Sequence, residues 1–245
     1  MGSTLPKRLQ AININATKKK YFITTDVEEI SELSLMAIKG GDGVKGRMLG
    51  SVSFVFENES GNARILTNCH VALGLDKQVN QQKISDEHGN QIGRVIDATI
   101  LSTTNGEAHT CDAAIINPTV TVELLKIDGF DLPFGGYDRI KNMPLGGVFY
   151  YKPYLGMKRT CMRPNLFTEP RAISTEAGKP IIKFKNFIEL DITSGNTIEA
   201  GHSGSALIGV RQNKIIFYGL VFAGDTDKQK VAVFDILDVF SALEN

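Results

Sequence analysis

The chain has no excess of either charge: 27 lysines and arginines offset 27 aspartates and glutamates, for a formal net charge of zero. A neutral chain has no field to draw it toward nucleic acid or an anionic membrane, so neither is expected as a partner. Cysteine is scarce as well. The three cysteines, Cys69, Cys111 and Cys161, are odd in number and widely spaced. They make no disulfide framework and fit a reducing compartment. The first 20 residues contain no apolar run long enough for a signal peptide or a membrane span, so a cytoplasmic protein is expected. Lys18-Lys19-Lys20 is the one notable basic run and reads as a solvated arm. His88, His109 and the cysteines lack the spacing of a metal site, so neither metal nor cofactor is expected. Repeats and low-complexity tracts are absent too.

What the chain does have is many short apolar segments broken by turns. Strands are expected over 33–38, 50–56, 63–67, 91–97, 99–102, 113–116, 147–152, 181–184, 187–192, 205–210, 215–223 and 231–234. Glu57-Asn58-Glu59-Ser60-Gly61 reads as a hairpin turn, and Thr25-Asp26-Val27-Glu28 as a capping box opening a short helix over 26–32. Lys39 to Leu49 is glycine-rich. Its Gly41-Asp42-Gly43-Val44-Lys45-Gly46 matches a dinucleotide fingerprint, but a strand pattern follows it instead of a helix, so a loop is expected. At the C-terminus, Ile236, Leu237, Val239, Phe240 and Leu243 form one face of a helix. Such a pattern is all-β, of the antiparallel β-barrel kind. The proline- and glycine-rich segment from Pro118 to Pro144 marks a junction between two barrels. The expected division is a polar arm over 1–25, a barrel over 26–130, and a second barrel with the terminal helix over 131–245.

Three local contexts carry chemistry. Ser203 lies in the small-residue turn Gly201-His202-Ser203-Gly204-Ser205 between apolar runs. A serine hydroxyl is a weak nucleophile until a base takes its proton and a carboxylate orients that base. His70 follows the apolar Ile65-Leu66-Thr67-Asn68, and Asp112 precedes Ala113-Ala114-Ile115-Ile116. Each context alone is weak; their conjunction in the order His, Asp, Ser is specific. Cys69 and Cys111 stand immediately before the two partners, where inert reduced thiols are expected over a redox switch.

These segments resemble the chymotrypsin-fold serine proteases, and among them the HtrA/DegP-like branch. Leu49-Gly50-Ser51-Val52 with Leu66-Thr67-Asn68-Cys69-His70-Val71 is similar to that branch's Gly-Ser-Gly strand and its Leu-Thr-Asn-Asn-His-Val motif. Cys111-Asp112-Ala113-Ala114-Ile115 is similar to Asp-Leu-Ala-Leu-Leu. Phe187-Ile188-Glu189-Leu190-Asp191 and Gly201-His202-Ser203-Gly204-Ser205-Ala206-Leu207 are similar to Phe-Ile-Gln-Thr-Asp and Gly-Asn-Ser-Gly-Gly-Pro-Leu. The likeness runs from about Asp26 to the terminal helix, and no PDZ domain is expected.

The resemblance implies two antiparallel barrels, and an endopeptidase working through an acyl-enzyme with Ser203 as nucleophile, His70 as base and Asp112 as its orienting acid. The N–H groups of Gly201 and Ser203 would form the oxyanion hole. Thr197, Phe222, Ala223, Gly224 and Ala232 would line an uncharged pocket for a small to medium apolar side chain, and the partner would be a protein or peptide substrate. Two departures stand out. His202 occupies the position of the aspartate that zymogen-activated relatives pair with a new N-terminal amine, which argues against that switch. Ser205 and Ala206 replace Gly and Pro. Two alternatives stay open: a catalytically silent protein-binding module on this fold, with Ser205 as its motive, and a viral polyprotein-processing protease.

Overall fold

A computed structural model of the protein describes residues 8–11, 21–24, 37–75, 79–102, 107–143, 147–154, 159–167, 169, 171–174, 181–194, 201–225 and 229–243. The chain divides into two units, Met1–Ala37 and Ile38–Asn245. In the first, β1 (Arg8–Ala11) and β2 (Tyr21–Thr24) pair antiparallel, Arg8 facing Thr24 and Ala11 facing Tyr21. The helix expected over 26–32 lies outside the described residues, as does most of the strand expected over 33–38.

The second unit begins with β3 (Ile38–Gly40), β4 (Gly43–Lys45), β5 (Leu49–Ser51), β6 (Phe54–Glu57) and β7 (Ala63–Thr67). The one-turn helix α1 (Cys69–Ala72) follows, then β8 (Lys83–Ser85), β9 (Gln91–Ala98), β10 (Ala108–His109), β11 (Ala114–Pro118) and β12 (Val122–Ile127). Seven of these strands form one sheet in the order β5-β4-β8-β9-β11-β7-β6. Its two edge strands, β5 and β6, are consecutive along the chain. The single strand expected over 50–56 is therefore corrected to two, broken at Val52 and Ser53. The Val52 N–H donates to the Asp42 carbonyl beside β4, whereas the Ser53 N–H donates to Leu66 in β7. One bent segment thus belongs to both edges, and the sheet curls into a half-barrel around it.

The remaining strands are β13 (Phe134–Tyr137), β14 (Phe149–Tyr151), β15 (Arg159–Phe167), β16 (Arg171–Ser174), β17 (Ile181–Phe184), β18 (Phe187–Ser194), β19 (Ala206–Arg211), β20 (Lys214–Asp225) and β21 (Lys230–Asp235). They are completed by a 3-10 turn, Ile140–Asn142, and the helix α2 (Ile236–Leu243). The sheet order is β13-β20-β19-β14-β15-β18-β21, and a further β20–β21 pairing closes six of the strands into a barrel. Closure leaves the barrel no open edge to aggregate through. A small sheet, β10-β17-β16, joins the segment before Asp112 to the second set of strands.

Several expectations change. The glycine-rich stretch from Lys39 to Leu49 contains β4, and the Pro118–Pro144 segment contains β12, β13 and the 3-10 turn. Residues 99–102 form no strand. Leu237, counted on the apolar face of the terminal helix, is 36% exposed, while Ile236 and Val239 are fully buried. The two sheets share one core. Phe54 of β6 stacks on Phe217 of β20 with centroids 4.2 Å apart, and Phe240 of α2 meets Phe54 edge-on. The Phe54 and Phe217 rings, both fully buried, each contribute roughly 1.5–3 kcal/mol over an exposed one. This shared core fixes the cleft-forming segments of one sheet against those of the other.

Candidate active site

The turn that carries His70 grows out of β7. Asn68 has the extended backbone of an N-cap (φ −80, ψ 150), but its side chain does not cap α1. Instead its Nδ2 donates to the main-chain carbonyl of Asp112 at 2.7 Å. One residue into the helix, the His70 N–H donates to Asp112 Oδ1 at 3.0 Å, and the ring's Nδ1 lies 2.5 Å from Asp112 Oδ2. Asp112 is 1% exposed and His70 5%. A carboxylate held this way accepts a hydrogen bond from Nδ1–H, which fixes that tautomer and leaves Nε2 with its lone pair free to act as a base.

The acid's own segment is pinned from the far side by Thr99. Its hydroxyl accepts from the Ala113 N–H at 2.8 Å, and its N–H donates to the Ala113 carbonyl at 2.9 Å. That use of Thr99 is the local reason residues 99–102 leave the ladder. Cys69 and Cys111 are buried beside the pair, and burial next to the Asp112 charge pushes both thiols well up. Thiols of that kind carry almost no thiolate at neutral pH.

The serine turn is carried between β18 and β19 and docks on β5. The Ser51 N–H donates to the Ser203 carbonyl at 2.7 Å, and the Gly204 N–H donates to Val221 at 2.9 Å. Gly201 and Gly204 both have positive φ, +100 and +94. At Gly204 a Cβ would sit 2.0 Å from the Ser51 carbonyl oxygen, so only glycine fits there. The Ser203 hydroxyl is half-buried and donates to the Phe222 carbonyl at 3.1 Å. Among the described residues no hydrogen bond joins it to His70. Below the turn the buried His202 ring places Nδ1 3.4 Å from the Tyr151 hydroxyl and meets that ring edge-on.

The expected pocket residues divide. Ala223 and Ala232 face each other across β20 and β21, and Gly224 is exposed at the rim. The Phe222 ring is buried, stacked on Phe234 at 4.1 Å and packed near Phe184 and Phe187, so this residue offers the cleft its carbonyl and not its ring. Thr197 lies outside the described residues. Three residues that sequence reading passed over also shape the site: Asn68, Thr99 and Ser51. For Ser51 and Asn68 the signal was a polar side chain inside a buried run, where a partner has to exist; half-buried Thr99 gave no such signal. Among the described residues there is no cluster of three metal-binding side chains and no helix long and apolar enough to cross a membrane.

Neither a family model nor a curated protein matches the chain. Solved structures do. A protease of Nocardiopsis is similar with a TM-score of 0.56 at 14% identity, over 85% of this chain and 97% of its own. A serine protease specific for glutamic acid, described as using a histidine triad in substrate binding, gives 0.56 at 14% identity over 84% and 97%. A chymotrypsin of Cellulomonas bogoriensis gives 0.55 at 14% identity over 84% and 96%. The fold is the two-barrel, chymotrypsin-like one.

Proposed function

We propose that the chain is a serine endopeptidase, with Ser203 the nucleophile, His70 the base and Asp112 the acid that orients it. The observation that carries this reading is the buried Nδ1–Oδ2 contact of 2.5 Å between His70 and Asp112, on a fold shared with serine proteases. In the reaction, His70 Nε2 takes the Ser203 proton as Oγ bonds to the substrate carbonyl carbon. The N–H groups of Gly201 and Ser203 stabilise the resulting oxyanion, an effect worth roughly 3–4 kcal/mol per donor. The C–N bond then breaks, His70 returns its proton to the leaving amine, and water hydrolyses the acyl-serine by the same proton path in reverse.

The half-barrel bears base and acid and the closed barrel bears the nucleophile, which is the division of labour proposed for the two halves. His202, buried against Tyr151, supports a turn assembled without a cleaved N-terminal amine. Ala223, Ala232 and Gly224 support a preference for small to medium apolar side chains. The motifs around His70 and Ser203 support a likeness to the HtrA/DegP-like branch. Three free, buried cysteines support residence in a reducing compartment.

A second reading, a silent peptide-binding module, is favoured by one observation: the Ser203 hydroxyl rests on the Phe222 carbonyl. Moving a half-buried serine between staggered rotamers is cheap, and catalytic hydrogen bonds are commonly loose before substrate binds. Labelling with a fluorophosphonate decides between the two. The enzyme reading expects covalent labelling of the native protein and none of Ser203→Ala or His70→Ala; a folded wild type that stays unlabelled refutes it.

A further inference from the structure

The serine turn presents three consecutive carbonyls, from Gly201, His202 and Ser203, and two buried serines hold all of them. Ser51 Oγ donates to the Gly201 carbonyl at 2.6 Å, and the Ser51 N–H donates to the Ser203 carbonyl at 2.7 Å. Ser205 Oγ donates to the His202 carbonyl at 2.8 Å, and its own N–H reaches the same oxygen at 3.2 Å. Both serines are fully buried. Both are themselves fixed from outside the turn. The Tyr154 N–H donates to Ser51 Oγ at 2.8 Å, Thr67 Oγ1 donates to the Ser51 carbonyl at 2.8 Å, and the Val221 N–H donates to the Ser205 carbonyl at 2.9 Å.

A planar trans peptide points its N–H opposite to its C=O. The His202 carbonyl and the Ser203 N–H belong to one peptide unit. Drawing that carbonyl toward Ser205 therefore turns the Ser203 N–H the other way. Of the two bonds on the His202 carbonyl, the hydroxyl's is the shorter. The related motif has glycine at position 205, which can supply only the N–H. We infer that Ser205, backed by Ser51, is a positioning residue that orients the Ser203 N–H as an oxyanion donor. Ser205 is then not a mark of lost activity but a second anchor for the donor. This rests on the reading of Ser203 as nucleophile.

The test compares wild type, Ser205→Ala and Ser205→Thr, which keeps the hydroxyl, by steady-state kinetics on one peptide substrate and by crystal structures. Losing an oxyanion donor outright lowers kcat about 100- to 1000-fold. Misaiming one in Ser205→Ala is expected to lower kcat about 10- to 100-fold, with KM unchanged and with recovery in Ser205→Thr. A structural role alone would lower thermal stability and leave kcat within twofold, and that result overturns the inference. The crystal structures decide it independently of activity. The expected result is a His202–Ser203 peptide turned away from its wild-type orientation in Ser205→Ala; an unmoved peptide overturns it. A wild type without turnover whose peptide turns in the variant would refute the nucleophile reading, and with it the oxyanion role, while showing that Ser205 sets the orientation of the His202–Ser203 peptide.

Discussion

Gly204→Ala is the substitution that most sharply loads the contact between the serine turn and β5. Two penalties act at this position. At φ +94 any residue with a Cβ is strained, which costs about 1–3 kcal/mol. The added Cβ would also stand 2.0 Å from the Ser51 carbonyl oxygen and 2.7 Å from Thr67 Oγ1. Neither is the free end of a flexible chain, since Thr67 Oγ1 is itself bonded to the Ser51 carbonyl at 2.8 Å. Relief requires the turn to lift from β5, breaking the bond from the Ser51 N–H to the Ser203 carbonyl; overpacking of this sort costs about 1–3 kcal/mol more. The total is about 2–6 kcal/mol, which for a unit of this size lowers Tm on the order of 10 °C. Gly61→Ala is the control: its φ is +73, but no atom lies within 4 Å of the added carbon. Only the backbone penalty applies there, about 1–2 kcal/mol. Urea unfolding of both variants measures the difference. Equal losses at the two glycines would refute the close approach of turn and strand.

Two further predictions concern titratable groups. Asp42 has its pKa raised to about 6, chiefly by burial and against the hydrogen bond it accepts from the Lys39 N–H at 2.8 Å. A carboxyl raised in the folded state favours folding below its ordinary value near 4, and that contribution is lost as pH rises through about 6. Unfolding free energy measured from pH 4 to pH 7 should therefore fall in wild type relative to Asp42→Asn, by about 1–2 kcal/mol after screening at this partly exposed site; parallel profiles would contradict the assignment. Cys69 and Cys111, buried and raised, should resist iodoacetamide in the native protein for hours and react quickly in denaturant. Rapid native alkylation of either, read by peptide mass, would refute their burial.

The sequence was most legible where turn residues punctuate apolar runs. Ala63–Thr67 follows the hairpin turn of residues 57–61, and the Asn58 N–H closes that turn on the Asn62 carbonyl. Ser51, Val52, Ser53 and Phe54 alternate polar and apolar straight through the break although all four are buried, so the pattern reads as a single strand. Strands β12 and β13 were hidden for a different reason. They pair in parallel with distant partners, β3 and β20, inside a stretch whose prolines and glycines signal turns. The three residues of the site stood out because each occupies a distinctive local context. Their supports did not, because the direction of a hydroxyl or an amide is set by partners far along the chain. Asn68 occupies the N-cap position of α1, but its side chain is a tie to Asp112. Ser205 reads as a damaged motif, yet its hydroxyl lies on the His202 carbonyl.

The most direct test of the central claim is peptide mapping of the native protein after reaction with a fluorophosphonate. A single phosphonyl adduct on Ser203, absent when His70 is replaced by alanine, is the predicted result. An adduct on any other residue, or an unmodified Ser203 in a folded protein, would contradict it.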